Sequence, residues 1–387
     1  MTTTPPEARV QIVNMVRDFV NREVEPVAAE YDREDTIPYD LIDRMKELGL
    51  FGITVPEEYG GMGLDYTTFA SIFEELSKGF MTLSGAIGTH HILTYVLTHY
   101  GTEEQKQRFL PDLASGRKRG GLALTEPSGG TDMANLQTTA TKDGEEYSIN
   151  GTKMFITNGR SGDMFCLLAR TDPDMEPRHK GISCFVVEKG GPGFDVGKDL
   201  DKLGYRGLDT SELIFNNFAV PENNLIGGKE GAGFGMVMSG LETGRINIAA
   251  RAVGVAQAAF EAAIKYSQQR ETFGKPISEH QAIQLKLADM ATKIQAARLL
   301  VYDAAGKKDT GQRVDLESGM AKLFASEVCL EVAMESMRVH GGVGYIKDSP
   351  VERYYRDAPL MVIGEGTNEV MRLVIAKQLL RLPEYQL

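Results

Sequence analysis

"LQTTATKDGEEYSINGTKMFITNG", residues 136–159, decides the fold class of this chain. Apolar and polar residues alternate there in short runs. Asp-Gly and Asn-Gly pairs punctuate them, which is the chemistry of tight turns between antiparallel strands. The neighbouring segments "GGLALTEP", "MFCLLARTD", "GISCFVVEKG" and "SELIFNNFAVP" behave alike. Together they predict a sheet built from hairpins, not from strand–helix–strand crossovers.

On both sides the period changes. From about Glu7 to Gly116 the pattern is helical, broken at "DTIPYD", "VPEEYGGMGLD" and "HYGTEEQ". "DYTTFASIFEELSKGF" (65–80) carries an apolar stripe at spacings of three and four, predicting an amphipathic helix. Thr102, with Gln105 three residues on, forms a capping-box signature. The helical period returns near Gly233. "RINIAARAVGVAQAAFEAAIKYSQQR" is Ala-rich and apolar over much of its circumference, so it belongs inside a bundle. Two more long helices follow, in "SEHQAIQLKLADMATKIQAARLLVYDAAG" and "LESGMAKLFASEVCLEVAMESMRVHGG". The predicted organisation is mainly α with a β insert, in three parts: helices over 1–119, a β-domain over 120–228 and a helical bundle over 229–387.

Composition narrows the function. With 387 residues, two or three packed units are expected. A formal net charge of −12 with no Lys/Arg-rich block argues against a nucleic-acid partner. The N-terminal stretch has neither the apolar core of a secretory signal nor the Arg-rich character of a transit peptide. No apolar run is long enough to span a bilayer. Cys166, Cys184 and Cys329 are scattered in apolar stretches and read as buried reduced thiols, predicting a cytoplasmic protein. Adjacent His90 and His91 point in different directions on a helix and make a poor chelate, so no metal is expected.

Four glycine-bearing stretches need separate readings. "GGKEGAGFG" (227–235) lacks a phosphate-loop or dinucleotide fingerprint and reads as a connector from sheet to bundle. "LTEPSGGTD" (124–132) and "FITNG" (155–159) leave strands with hydroxyls and flexible glycine at one edge. Each could be a plain turn, but two in one small sheet suit a planar polar ligand. "VIGEGTNEV" (362–370) sets Glu365 between Gly364 and Gly366. It reads as a loop-to-helix junction, with Thr367 as N-cap and Glu369 near the positive helix end. It reads equally as a carboxylate that a ligand can approach closely.

These segments, in this order, resemble the acyl-CoA dehydrogenase family of flavoenzymes. The resemblance includes "VPEEYGGMGLDY", "YGTEEQKQRFLPDLASG", "ALTEPSGGTD", "KMFITNG", "KLGYRGLDTSELIFNNFAVPENNLIG", "RETFGKPISEHQAIQ", "HGGVGYI", "YRDAP" and "EGTNEVMR", nearly end to end. It implies an α-helical N-domain, a β-barrel-like middle domain and a C-terminal four-helix bundle, with FAD between the last two. Leu122, Leu124 and Thr125 would hold the pyrimidine side of the flavin. Thr131, where relatives more often have Ser, would lie near both flavin and thioester. Thr157 would bond toward flavin N5, and Phe155, replacing a usual Trp, would cover the flavin face. Arg270, Thr272, Phe273 and Gln281 would reach the adenine and pyrophosphate of a neighbouring subunit's FAD in a homotetramer. Arg338 (commonly Gln), His340, Gly341 and Gly342 would meet that same cofactor end, and Thr367, Asn368 and Glu369 would approach FAD from their helix start.

"LETGR" (241–245) matches the family's CoA-binding turn, with Arg245 its firm member and Glu242 replacing an Asp. Gly244 occupies a position where a few relatives carry their catalytic carboxylate, which returns that role to Glu365. The implied reaction is α,β-dehydrogenation of an acyl-CoA. Glu365 takes the α-proton, hydride goes to N5, and electrons pass to an electron-transferring flavoprotein. The glycines beside Glu365 would let the thioester lie against the backbone at Gly366. Gly364, where many relatives have a bulky aromatic, suggests a wide acyl pocket. Three other outcomes stay open: an oxidase, a decarboxylating dehydrogenase and a non-catalytic acyl-CoA-binding scaffold. The decarboxylating variant needs a cationic partner for the acyl terminus, which the sequence does not place.

Overall fold

The computed structural model describes residues 3–382. The residues at the outer ends of the expected first and third parts, 1–2 and 383–387, lie outside that span. Helices α1 (Pro6–Phe19) and α2 (Glu25–Glu34) are joined by one π turn and followed by α3 (Tyr39–Glu47), α4 (Tyr66–Tyr100) and α5 (Glu103–Ala114). Asp65 caps α4 by accepting the Thr68 N–H at 2.8 Å. The stripe expected over 65–80 is present but narrow. Only a face with Thr67, Glu74, Glu75 and Lys78 is partly open, and past the kink at Phe80 (φ −153°) the helix continues almost wholly buried. The capping box at α5 is formed: Thr102 Oγ1 accepts from Gln105 N, and Gln105 Oε1 accepts from Thr102 N.

The middle of the chain is a curled seven-stranded sheet. Its strands are β1 (Gly120–Ala123), β2 (Thr139–Asp143), β3 (Glu146–Thr157), β4 (Met164–Arg170), β5 (Ile182–Glu188), β6 (Phe194–Asp199) and β7 (Thr210–Pro221). β2/β3, β4/β5 and β6/β7 pair antiparallel, as the turn chemistry predicts. The all-hairpin expectation needs one correction. β4 is met in parallel by β1, from Gly120↔Met164 to Ala123↔Leu167, and by β2 at Thr139↔Arg170, because the β2/β3 hairpin returns the chain to that place without a helix. Tyr147, Phe165, Phe185 and Phe215 fill the sheet's own core. Cys166 and Cys184 are free thiols, 3.3 Å apart and buried, and Cys329 is likewise free and buried.

His90 joins the first unit to the second, and His91 beside it braces the first unit. Their Nε2 atoms meet the carbonyls of Phe51 (3.1 Å) and Leu50 (3.0 Å), and His90 Nδ1 accepts the Gly120 N–H at 2.9 Å. Burial lowers both imidazoles, to about 3 and about 4, so both are neutral.

The third unit contains α6 (Gly233–Gln269), a two-stranded ribbon β8 (Glu271–Thr272) and β9 (Lys275–Pro276), α7 (Gln281–Asp309), α8 (Asp315–His340), α9 (Val351–Ile363) and α10 (Asn368–Leu379). Between its first buried turn and Ala259, α6 is enclosed by α4, α7 and α8. Its alanines and glycines permit the close approach, and each buried Ile or Val beside them contributes about 1.5–3 kcal/mol. α9 and α10 both pack on α8, so two short helices complete the bundle. "GGKEGAGFG" is the connector expected: its last residues begin α6.

Candidate functional site

The site begins where α9 ends. Gly364 is extended from the helix, Glu365 takes φ +54° and Gly366 φ +94°, and Thr367 then caps α10 by accepting the Val370 N–H. A glutamate in the left-handed region costs on the order of 1–3 kcal/mol, so something must hold it there. Lys322 of α8 does so. It is fully buried, and its Nζ donates to Val362 O (3.1 Å), Gly366 O (2.7 Å) and Asn368 Oδ1 (2.8 Å), clamping both sides of Glu365. Burial lowers this ammonium to about 8, against the pull of the Glu365 charge.

Held this way, the Glu365 carboxylate crosses to α6 and lies on Gly244. A Cβ at 244 would sit 1.8 Å from Glu365 Oε2 and 3.0 Å from Ile92 of α4. The reading that Gly244 and Glu365 are alternative homes for one carboxylate has a direct geometric counterpart here: the acid fills the space a side chain at 244 would take. Oε2 is buried and has no hydrogen-bond partner among the described residues. Burial pushes the acid up to about 7, opposed by the positive charges of Arg251, Lys322 and Arg245. A carboxyl near neutrality with a bare, buried oxygen against Gly244 of α6 has the properties of a general base.

Around it lie residues that the sequence did not single out. Tyr205, buried at φ +57°, donates its main-chain N–H to Asp357 at 2.6 Å. Its ring occupies the place of a Cβ on Gly85, with the hydroxyl 2.0 Å from that position and against Thr157 and Arg251. Asn247 and Arg251 fill the space opposite Gly88. The available signal was Asn247 and Arg251 interrupting an otherwise apolar helix in "RINIAARAVGVAQ".

The flavin-edge residues are brought together. Met154 N donates to Thr125 O at 2.8 Å, setting the loop after β1 beside the end of β3. Buried Lys153 reinforces this through Leu124 O (3.1 Å) and Glu126 (2.8 Å). Leu122 and Thr125 are half-buried, Leu124 is buried and Thr131 is exposed. Phe155 stands 61% exposed at φ +59°, and Thr157 ends β3 opposite Thr210. An exposed aromatic ring in strained backbone beside hydroxyls fits a planar cofactor face. At a second place, Arg270, Thr272, His340, Gly341 and Gly342 line one cavity of about 550 Å³ with Tyr266, on which His340 stacks at 4.4 Å. Both regions fit FAD. Phe273, 97% exposed at φ +53°, stands on the turn of the β8/β9 ribbon, and exposed Gln281 opens α7. Arg338 is exposed and ion-paired to Glu335.

One expectation needs correction, and three candidates have plainer settings than the resemblance implied. The Glu242 side chain is fully buried against Lys308 (2.8 Å) and Arg313 (2.7 Å), so its charge is neutralised by the bundle and does not face a substrate. The Asn368 side chain is enclosed, held by Lys322, Ser326 and Glu327, so only its main-chain N–H at the start of α10 is left to meet a cofactor. Glu369 is exposed in the first turn of α10, where its charge suits the helix. Arg245, nearly buried, pairs with Asp315 at 3.3 Å and keeps a bare Nε.

Comparison with known proteins agrees with this geometry. Residues 6–117, 121–218 and 231–380 match the N-terminal, middle and C-terminal domains of acyl-CoA dehydrogenase. An acyl-CoA dehydrogenase of Bacillus subtilis is 47% identical over 375 residues, covering 97% of this chain and 98% of that one. Butyryl-CoA dehydrogenase of Megasphaera elsdenii superposes with a TM-score of 0.93 at 40% identity, over 98% of this chain and 100% of the other. A chain in the structure of the electron transferring flavoprotein of Acidaminococcus fermentans superposes at 0.94 with 45% identity, over 99% and 100%. The chain belongs to the acyl-CoA dehydrogenase family, whose members are flavin-dependent oxidoreductases.

Proposed function

We propose that this enzyme oxidises the α,β carbon–carbon bond of an acyl-CoA thioester, with Glu365 removing the α-proton. The observation that carries the proposal is the bare, buried Oε2 of Glu365 lying over Gly244. FAD would be held by Thr125, Thr157 and Phe155 and by the Arg270–His340 cavity of a neighbouring subunit, and would supply the two-electron acceptor for the β-hydrogen. The chain's own work is positioning. Lys322 fixes the loop around the left-handed Glu365, whose N–H would serve as a donor to the thioester carbonyl, and a bound acyl chain would exclude water from the base. With its acid near 7, Glu365 is ionised for much of the neutral range yet far more basic than an ordinary carboxylate.

The electron acceptor in this reading is an electron-transferring flavoprotein, and the assembly is a homotetramer in which the unsupported Phe273 tip completes a neighbour's FAD site. Acyl-CoA oxidation assayed with an electron-transferring flavoprotein and with oxygen alone tests the first point. Faster turnover with oxygen would make the enzyme an oxidase. Anaerobic bleaching of the flavin across a panel of acyl-CoAs tests the reaction itself, and a protein that stays yellow with all of them overturns it.

Pocket width gives a further expected result. A Cβ at Gly364 would meet only Leu360, at 3.1 Å and 3.8 Å. Gly364→Tyr therefore puts a ring into open space close to the base, and it should reduce kcat/KM for branched acyl-CoAs by about tenfold more than for short straight ones. Equal losses for both would show that position 364 does not border the acyl group.

A further inference from the structure

Gly244, Asn247 and Arg251 recur at spacings of three and four, so they form one stripe of α6. The stripe faces the Gly85–Gly88 surface of α4, where the missing side chains leave room for Tyr205, Asn247 and Arg251. At one end of this stripe the Glu365 carboxylate lies over Gly244. At the other, Asn247 is buried with Oδ1 and Nδ2 both unpartnered, and Arg251, only 3% exposed, has unpartnered Nε and Nη2. Its guanidinium stacks on Tyr205, 5.0 Å from the ring centroid, which fixes its plane.

The contrast with the neighbouring cations is informative. Lys153, Lys308 and Arg245 each pair with a carboxylate, and Lys322 has three oxygen acceptors. Arg251 has no ion-pair partner among the described residues. A buried guanidinium and a buried amide with bare donors are costly unless a ligand completes them. No ion pair joins Arg251 to Glu365 among the described residues, although Arg251 is the strongest positive charge acting on that carboxyl.

We propose that Arg251 and Asn247 bind a carboxylate at the far end of the acyl group, so that the enzyme prefers short ω-carboxyacyl-CoA thioesters. This rests on the dehydrogenation reading above and names the substrate class for the same site. Seven residues of helix separate Gly244 from Arg251, roughly 10 Å, and the arginine side chain spans part of that, so an acyl chain of roughly four to six carbons matches the remaining distance. Guanidinium and amide donors together match the two oxygens of a carboxylate. The cation that a terminal carboxylate requires is therefore present. It lies on α6, two turns from Gly244.

The test uses the FAD-loaded enzyme with glutaryl-CoA and hexanoyl-CoA as probes. The parent is expected to reduce its flavin with kcat/KM at least about 10²-fold higher for glutaryl-CoA, since a site built for a polar group rejects the analogue that lacks it. Arg251→Met removes a positive charge acting on Glu365 and so slows both probes near neutral pH, but it should lose at least about 10²-fold more on glutaryl-CoA than on hexanoyl-CoA, and Arg251→Lys should restore part of the preference. Calorimetric binding to the Glu365→Gln holoenzyme should show the same gap without turnover. Equal losses on both probes in Arg251→Met would overturn the proposal and make Arg251 a support for Glu365. A parent that oxidises hexanoyl-CoA as well as glutaryl-CoA overturns it while leaving the dehydrogenation reading intact. Failure with every thioester overturns both.

Discussion

Glu365→Gln slows substrate-driven flavin reduction by about 10²–10⁴-fold, the usual contribution of a positioned general base. The amide keeps the size of the acid and can occupy the same space over Gly244, so fold, FAD content and acyl-CoA binding are retained and dithionite still bleaches the flavin. Stability moves the opposite way. A carboxyl raised to about 7 in the folded protein stabilises it below the unfolded value, and that contribution is lost as pH rises through about 7. A neutral amide has no such loss. The variant should therefore melt higher than the parent at pH 8 and at nearly the same temperature at pH 5, which calorimetry would show. A role as a mere loop-to-helix junction predicts near-normal turnover instead.

Gly244→Ala is expected to separate activity from stability. In a helix interior the change usually stabilises, by roughly 0.5–1 kcal/mol. Here the new methyl would lie 1.8 Å from Glu365 Oε2. The carboxylate is the far end of a flexible side chain, so it moves aside and the fold survives. The base, however, is displaced by about an ångström, a shift that costs roughly 10²-fold in rate. Single-turnover reduction together with a thermal melt measures both effects. A variant that is both unstable and slow would show packing damage, and one that is fast would show that Glu365 does not work from this position.

Local chemistry was readable in the sequence and long-range placement was not. Turn pairs marked the hairpins, Thr102 and Gln105 marked a helix start, and Thr367 marked another, because each feature is made within a few residues. The parallel β1/β4 pairing was hidden because it depends on where the β2/β3 hairpin returns the chain. Glu365 was legible through its flanking glycines. Its clamp, Lys322, was hidden because a lysine 43 positions earlier carries no sign of three buried oxygen acceptors. Glu242 misled for the same reason, since Lys308 and Arg313 reach it only in the folded bundle. Gly85 and Gly88 looked like ordinary helix residues until Tyr205, Asn247 and Arg251 were seen to fill the space opposite them.

The central claim is that a carboxylate tuned by burial takes the α-proton. Its most direct test is the pH dependence of anaerobic flavin reduction by a bleaching acyl-CoA, measured by stopped flow at limiting substrate. The account predicts a rate that rises with pH through a limb at about 7, set by Glu365, and no such rising limb in Glu365→Gln. A parent profile that is flat across that region, or a Glu365→Gln variant that keeps the limb, would contradict it.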